Sequence, residues 1–220
     1  MTPDITPETT PQATIDRNLL HATKGFLDDS EADHLYHIAL MAGPRGPCLE
    51  IGSYCGKSAI CIGTACRDTG SILFSIDHHK GSEEQQPGEA FFDPELFDYT
   101  SGRVNTAPFF LAAIERAGLT DTVVPMICPS KTAARCWATP LSFVFIDGSH
   151  AFEAAAADYQ CWAPHIVPGG FLLIHDIFED PAEGGQAPYE VYKTALSSGL
   201  FMAHSRVSTL GVLKRLESSD

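Results

Sequence analysis

Apolar residues in this chain gather into short, nearly continuous runs, separated by stretches in which they recur every three or four positions. Runs of the first kind fall at residues 48–52, 72–77, 122–128, 142–147 and 170–175. Each is too short for a helix and is rich in Ile, Val, Leu or Phe, so each reads as a buried strand. Between and after them the spacing predicts helices over 57–67, 105–117, 130–138, 151–163 and 188–198. Nearer the amino end, Asp29 or Ser30 can cap a helix that carries Leu35, Ile38, Ala39 and Ala42 on one side and stops at Gly43-Pro44. Such alternation predicts a parallel sheet with helices on both faces. The last two runs, Phe201 to Ser208 and Leu210 to Leu216, have too little chain between them for a crossover and so form an antiparallel hairpin at the sheet's edge. The expected fold class is α/β: a doubly wound, mostly parallel seven-stranded sheet with a C-terminal antiparallel hairpin.

Length and composition narrow the picture. With 220 residues and 44% hydrophobic content the chain suits one large core, so residues 21–220 are expected to be a single domain behind a flexible tail, 1–20, whose first 14 residues are rich in Pro and Thr. A formal charge of −14 with scattered Lys and Arg excludes a nucleic-acid partner and favours a small neutral or cationic ligand. Seven cysteines without a Cys-x-x-Cys pair read as reduced residues of a cytoplasmic protein. No apolar run approaches the ~18 residues of a membrane span, so no membrane partner is expected. The amino-terminal arm and first helix are compatible with a homodimer. Two loops, 78–102 and 177–187, leave the carboxyl ends of strands and are candidate lids.

The chemistry concentrates at strand ends. Cys48-Leu49-Glu50-Ile51 runs into Gly52-x-x-x-Gly56, a strand, a tight turn and a helix start with bared backbone amides. The next strand ends in Asp77, where a ribose diol is usually held. The glycine spacing differs from the dinucleotide fingerprint, which makes a dehydrogenase the weaker reading and a nucleoside without pyrophosphate the better one. Two later strands end in Asp147-Gly148-Ser149-His150 and His175-Asp176. Two carboxylates and two imidazoles at one rim make either a metal site or an acid-base pair. The alternative is that Asp147 caps the helix near Ala151 and His175 is a wall residue. Of His78 and His79, adjacent in an extended chain, at most one faces the cleft. Trp137 and Trp162 read as packing residues.

Leu49-Glu50-Ile51-Gly52-Ser53-Tyr54-Cys55-Gly56-Lys57-Ser58 closely resembles the first motif of the catechol O-methyltransferase group of class I S-adenosylmethionine-dependent methyltransferases. Phe-Ile-Asp-Gly-Ser-His and Pro-Gly-Gly-Phe-x-x-Ile-His-Asp are also similar to segments of macrocin-type sugar O-methyltransferases. The resemblance, from about residue 47 to the carboxyl end, implies a Rossmann-like fold and S-adenosylmethionine as cofactor. Gly52, Ser53 and Tyr54 would line its methionine part, Asp77 would hold the ribose and Ser130 would border the adenine, with Glu50, Gly56, Ser58, His78 and Asp147 completing the cofactor site. It further implies a divalent metal at Asp147, His175 and Asp176, Mg or Mn, with imidazole improving the case for Mn, Fe or Zn. A one-residue shift of the alignment puts Asp176 on the acid and Ile177 on the amide position, which weakens the metal. His150, with an ordinary imidazole pKa of ~6.5, takes the place of general base beside a catalytic Asp147. The implied reaction is methylation of a hydroxyl on a small molecule such as a sugar, polyketide or phenol. The competing reading is a metal-dependent oxygenase or hydrolase like the cephalosporin hydroxylases, which share these motifs; a scaffold without turnover is a further one.

Overall fold

The computed structural model describes residues 15–149 and 151–217. His150 and residues 1–14 lie outside the described residues. The strands are β1 (Cys48–Ile51), β2 (Leu73–Asp77), β3 (Phe97–Asp98), β4 (Arg103–Val104), β5 (Val123–Ile127), β6 (Leu141–Ile146), β7 (Ile166–Ile174), β8 (Phe201–Val207) and β9 (Leu210–Arg215). Seven of them form one sheet in the order β5-β2-β1-β6-β7-β9-β8. The first five are parallel, and β9 runs antiparallel to both β7 and β8. Strand order reverses at β1, which pairs with β2 on one side and β6 on the other. In a doubly wound sheet this switch point opens a crevice beyond the carboxyl ends of the strands.

The helices are α1 (Arg17–Ala22), α2 (Asp29–Ala42), α3 (Lys57–Thr69), α4 (Ala107–Arg116), α5 (Ser130–Ala134), α6 (Phe152–Trp162) and α7 (Ala187–Ser197). Alternate residues of each strand face opposite sides. Cys48, Phe143, Phe145, Phe171 and Leu173 pack with Leu35, Ile60 and Phe110 of α2, α3 and α4. Leu49, Val144 and Leu172 pack with Ala155, Trp162 and Val191 of α6 and α7. Strands clothed on both faces are why the sequence shows continuous apolar runs in place of alternation. Among the described residues no helix is long and apolar enough to cross a membrane.

Four details differ from the sequence expectations. The assigned tail ends too late: Ile15, Leu19 and Leu20 are buried, the last completely, and α1 joins the core. The cap of α2 is Asp28, whose side chain accepts from Glu31 N while the Glu31 side chain accepts from Asp28 N, a reciprocal box. Helix α5 stops at Ala134, short of the predicted 138. Strand β7 starts at Ile166, well before 170, because Pro168-Gly169 is an irregularity inside the strand: the register with β6 shifts between Leu141 and Phe143, and Gly169 has φ +73°.

The loop after β2 is more ordered than an open lid. Strands β3 and β4 make a small ribbon, and Leu96 and Val104 pack with Cys55 just past β1. Lys24, between α1 and α2, pairs with Asp93 and Glu95 on the same loop. The segment therefore reads as a wall fastened over the first turn.

Candidate active site

Register brings the chemical residues together. Ile76, Ile51, Ile146 and Ile174 lie side by side across β2, β1, β6 and β7. One position further along each strand come Asp77, Gly52, Asp147 and His175, so four motifs far apart in sequence form one row about a strand spacing apart, ~4.8 Å. Above the row lies a cleft of about 590 Å³, within the usual range for a small-molecule site.

The turn after β1 is built tightly. Gly52 has φ +91°, and a Cβ there would lie 2.0 Å from the Asp147 carbonyl oxygen. The left-handed backbone and the touching strand both require glycine. Tyr54 follows at φ 46°, an unusual conformation for a bulky residue. Asp77 holds this turn: Ser53 N and Tyr54 N donate to its Oδ2 at 3.0 and 2.9 Å, and His79 N donates to Oδ1 at 2.7 Å. The acid expected to meet a ribose thus also anchors the turn that would meet the rest of the ligand.

The cleft is lined by Gly52, Ser53, Tyr54, Ser58, Asp77, His78, Ser130 and Asp147. Glu50 and Gly56 do not line it, contrary to expectation. Gly56 faces α4, where a Cβ would come 3.3 Å from the Phe110 ring. Glu50 lies wholly buried beneath the turn, accepting from Ser58 Oγ at 2.9 Å and Ser75 Oγ at 2.5 Å. Burial pushes its carboxyl from 4.5 up to about 7, against the two serine bonds and with help from the charges of Asp147 and Asp77. A raised carboxyl pKa means that the folded state keeps a proton the unfolded state has lost. Stability should therefore fall as pH climbs from about 4.5 to about 7, by roughly 3 kcal/mol for this group. Glu50→Gln is expected to flatten that slope; identical Tm profiles of wild type and variant between pH 5 and pH 8 would refute the assignment.

His175 occupies the centre of a charged cluster. Its Nδ1 lies 3.1 Å from Asp147 Oδ1 and 3.5 Å from Asp176 Oδ2, and its Nε2 lies 3.0 Å from Glu31 Oε2. The imidazole is buried, which alone would lower its pKa. The Asp147 charge and hydrogen bonds to Asp147, Asp176 and Glu31 outweigh burial and hold it well above its ordinary value. Glu31 also accepts from Thr209 N at 2.9 Å and Thr209 Oγ1 at 2.8 Å. Burial would raise the Glu31 carboxyl, but the His175 bond and charge hold it below the usual range. The N-cap of α6 is Ala151, not Asp147, and Ala151 N donates to Ser149 Oγ at 3.1 Å. Asp176 sits at φ 56°, the third non-glycine residue after Tyr54 and His79 held left-handed at a strand's carboxyl end.

His78 lines the cleft while His79 is buried against Phe110 and bonded through Nδ1 to Thr106 Oγ1 at 2.7 Å, so one of the pair faces inward as expected. Trp162 is fully buried, stacked edge-on with Trp137 at 5.1 Å, and its Nε1 donates to Ser130 Oγ at 2.7 Å. At the mouth, Phe26 meets Tyr54 and Phe91 at 5.8 and 5.5 Å.

Sequence reasoning missed Glu31, Asp158 and Phe26. The signature Asp28-x-x-Glu31 was readable as a capping box, though nothing local says that the same carboxylate reaches β7. Asp158, a buried acid in α6 that lines the cleft, gave only a polar interruption in an alanine-rich run.

Fold and cleft together define an α/β protein with a small-molecule-sized cleft at the switch point of a parallel sheet. The chain belongs to the methyltransferase-domain family: the family described as "Methyltransferase domain" matches residues 49–177, more than half of the 220. Similar solved structures include an O-methyltransferase from Bacillus cereus in complex with SAH, at 14% identity and TM-score 0.64 over 94% of this chain and 92% of that one. The O-methyltransferase TomG from Streptomyces achromogenes, involved in tomaymycin synthesis and solved with SAM, is 15% identical at TM-score 0.61, covering 88% and 82% of the two chains. The O-methyltransferase NovP is 13% identical at TM-score 0.65, covering 84% and 79%. At these identities the likeness establishes the fold, and the family match establishes a methyltransferase. The oxygenase or hydrolase reading is not favoured by these matches.

Proposed function

We propose that the protein transfers the methyl group of S-adenosylmethionine to a hydroxyl of a small molecule. One observation carries this reading: the Asp77-braced turn of a methyltransferase fold opens into the same cleft as Asp147 and Asp176. Neighbours of this fold were solved with SAM or SAH bound, which supports the cofactor. The hydroxyl oxygen attacks the sulfonium methyl in line, the carbon–sulfur bond breaks with its electron pair going to sulfur, and S-adenosylhomocysteine leaves uncharged. The hydroxyl proton must go to a base, and His150, three residues past Asp147 in the sequence, is our assignment for it. The carboxylates of Asp147 and Asp176 orient the hydroxyl at the rim, so the chain's contribution is mainly positioning of an already electrophilic methyl.

Asp147, His175 and Asp176 also suit a divalent ion. One ligand atom from each lies within 4.8 Å of the others, and Glu31 behind His175 Nε2 supplies the carboxylate that usually orients a ligating imidazole. Such an ion would lower the pKa of the acceptor hydroxyl. Mg or Mn suits the carboxylates, and the imidazole widens the choice to Fe or Zn.

Calorimetry tests the cofactor directly. S-adenosylhomocysteine is expected to bind the full chain, and Asp77→Ala to abolish that binding by releasing both the ribose acceptor and the turn. Absence of binding to wild type at millimolar concentration would end the methyltransferase reading proposed here.

A further inference from the structure

His175 is held from behind by parts of the chain outside residues 49–177, the stretch that matches the methyltransferase domain. Glu31, in the first turn of α2, is buried and faces His175 Nε2 at 3.0 Å. Its Oε2 also accepts from Asp28 N at 3.3 Å, and its Oε1 accepts from Thr209 N and Thr209 Oγ1 at 2.9 and 2.8 Å. A carboxylate has about four acceptor positions, and four donors meet this one, so it cannot turn. Thr209, in the turn between β8 and β9, in addition accepts through its carbonyl from Ile177 N at 3.0 Å, directly past Asp176. One turn thus seats both Glu31 and the end of the rim.

An ionised carboxylate accepts and never donates, so the hydrogen between Glu31 and His175 stays on Nε2. A neutral imidazole carries one N–H and one lone pair, which leaves the lone pair on Nδ1. That nitrogen points at the rim, 3.1 Å from Asp147 Oδ1 and 3.5 Å from Asp176 Oδ2. Resting on the divalent-ion reading of this site, we propose that Glu31 is a positioning residue: braced by Thr209, it presents His175 Nδ1, and not Nε2, to the ion. The need for it is electrostatic. Asp147 and Asp176 attract an N–H on Nδ1, the tautomer that would block an ion, and Glu31 pulls the hydrogen to the opposite side of the ring.

Two measurements on the full chain test it. In wild type labelled at its imidazole nitrogens and loaded with Zn, proton–nitrogen correlation spectra are expected to show His175, assigned by its absence in His175→Gln, with a metal-bound Nδ1 and a protonated Nε2. A Zn-bound Nε2 overturns the proposal without any variant of Glu31. Calorimetry with Zn and with Mn is expected to give affinities about 10–100-fold lower in Glu31→Gln, because its amide turns an NH2 onto either His175 or Thr209. S-adenosylhomocysteine affinity should meanwhile stay within about threefold of wild type. Ion affinities within about threefold of wild type overturn the positioning role, and a parallel loss of S-adenosylhomocysteine binding would make Glu31 a structural residue instead. If wild type binds neither ion at millimolar concentration, the ion reading falls together with the proposal; S-adenosylhomocysteine binding to wild type reports separately on the methyltransferase reading.

Discussion

Asp147→Asn is expected to lower kcat for methyl transfer by roughly 10²–10⁴-fold, a larger change than in the affinity for S-adenosylhomocysteine. Asparagine keeps the shape and can still accept from His175 Nδ1, so the cluster's packing survives. What is lost is the negative charge that faces His175 at the rim of the cleft, which the proposed reaction uses to orient the acceptor hydroxyl. Transfer from labelled S-adenosylmethionine to a panel of sugar, polyketide and phenolic hydroxyls would measure it, with and without added Mg or Mn after treatment with a chelator. A variant that keeps more than about a tenth of wild-type kcat would remove Asp147 from the chemistry. Full wild-type activity in chelator would assign Asp147 and Asp176 to orienting the hydroxyl by themselves.

The second large effect is on stability. Glu31→Gln in chelator-treated protein is expected to destabilise the fold by about 3–5 kcal/mol, because it removes the buried charge facing the His175 cation and its amide can accept only from His175 or from Thr209, turning its NH2 onto the other. For a chain of this size that amounts to a Tm lower by roughly 10 °C. The double variant Glu31→Leu with His175→Leu should recover much of the loss, since an apolar pair places no charge in the interior. Urea unfolding at pH 7 reads both; a single variant within about 1 kcal/mol of wild type would show the pair to be unimportant.

The pH dependence of that difference has a definite sign. Glu31's folded pKa is depressed, so its contribution is present above the unfolded value of about 4.3 and is lost as pH falls through the folded value. His175's folded pKa is raised, so its contribution is complete below about 6.5 and is given up as pH rises toward the folded value, beyond neutrality. Wild type should therefore gain most over Glu31→Gln from weakly acid to neutral pH, and the gap should close on acidification below about pH 4.

How far the site was legible depended on the range of the forces involved. The turn after β1 was readable because Gly52 and Gly56 answer local demands, a left-handed backbone and close approach of neighbouring chain. The gathering of Asp77, Asp147 and His175 was also readable, since parallel strands with apolar runs of similar length align their carboxyl ends. Glu50 was misread for a complementary reason. Its place in a cofactor motif suggested contact with the ligand, whereas alternation along β1 turns it to the α3 face, onto Ser58 and Ser75.

By itself, the sequence determined the α/β class, the order of its elements, the side of the sheet on which a ligand would sit and the acids at its strand ends, because periodicity and turn chemistry act within a few residues. Only the tertiary structure decided that Glu31 reaches across 144 positions to His175, that Asp77, expected to hold a ribose, also braces the turn after β1, and that Asp158 looks into the cleft beside Ser130. Those outcomes depend on strand register and on which helix packs over which strand, and such pairings lie between segments whose local patterns carry no record of one another.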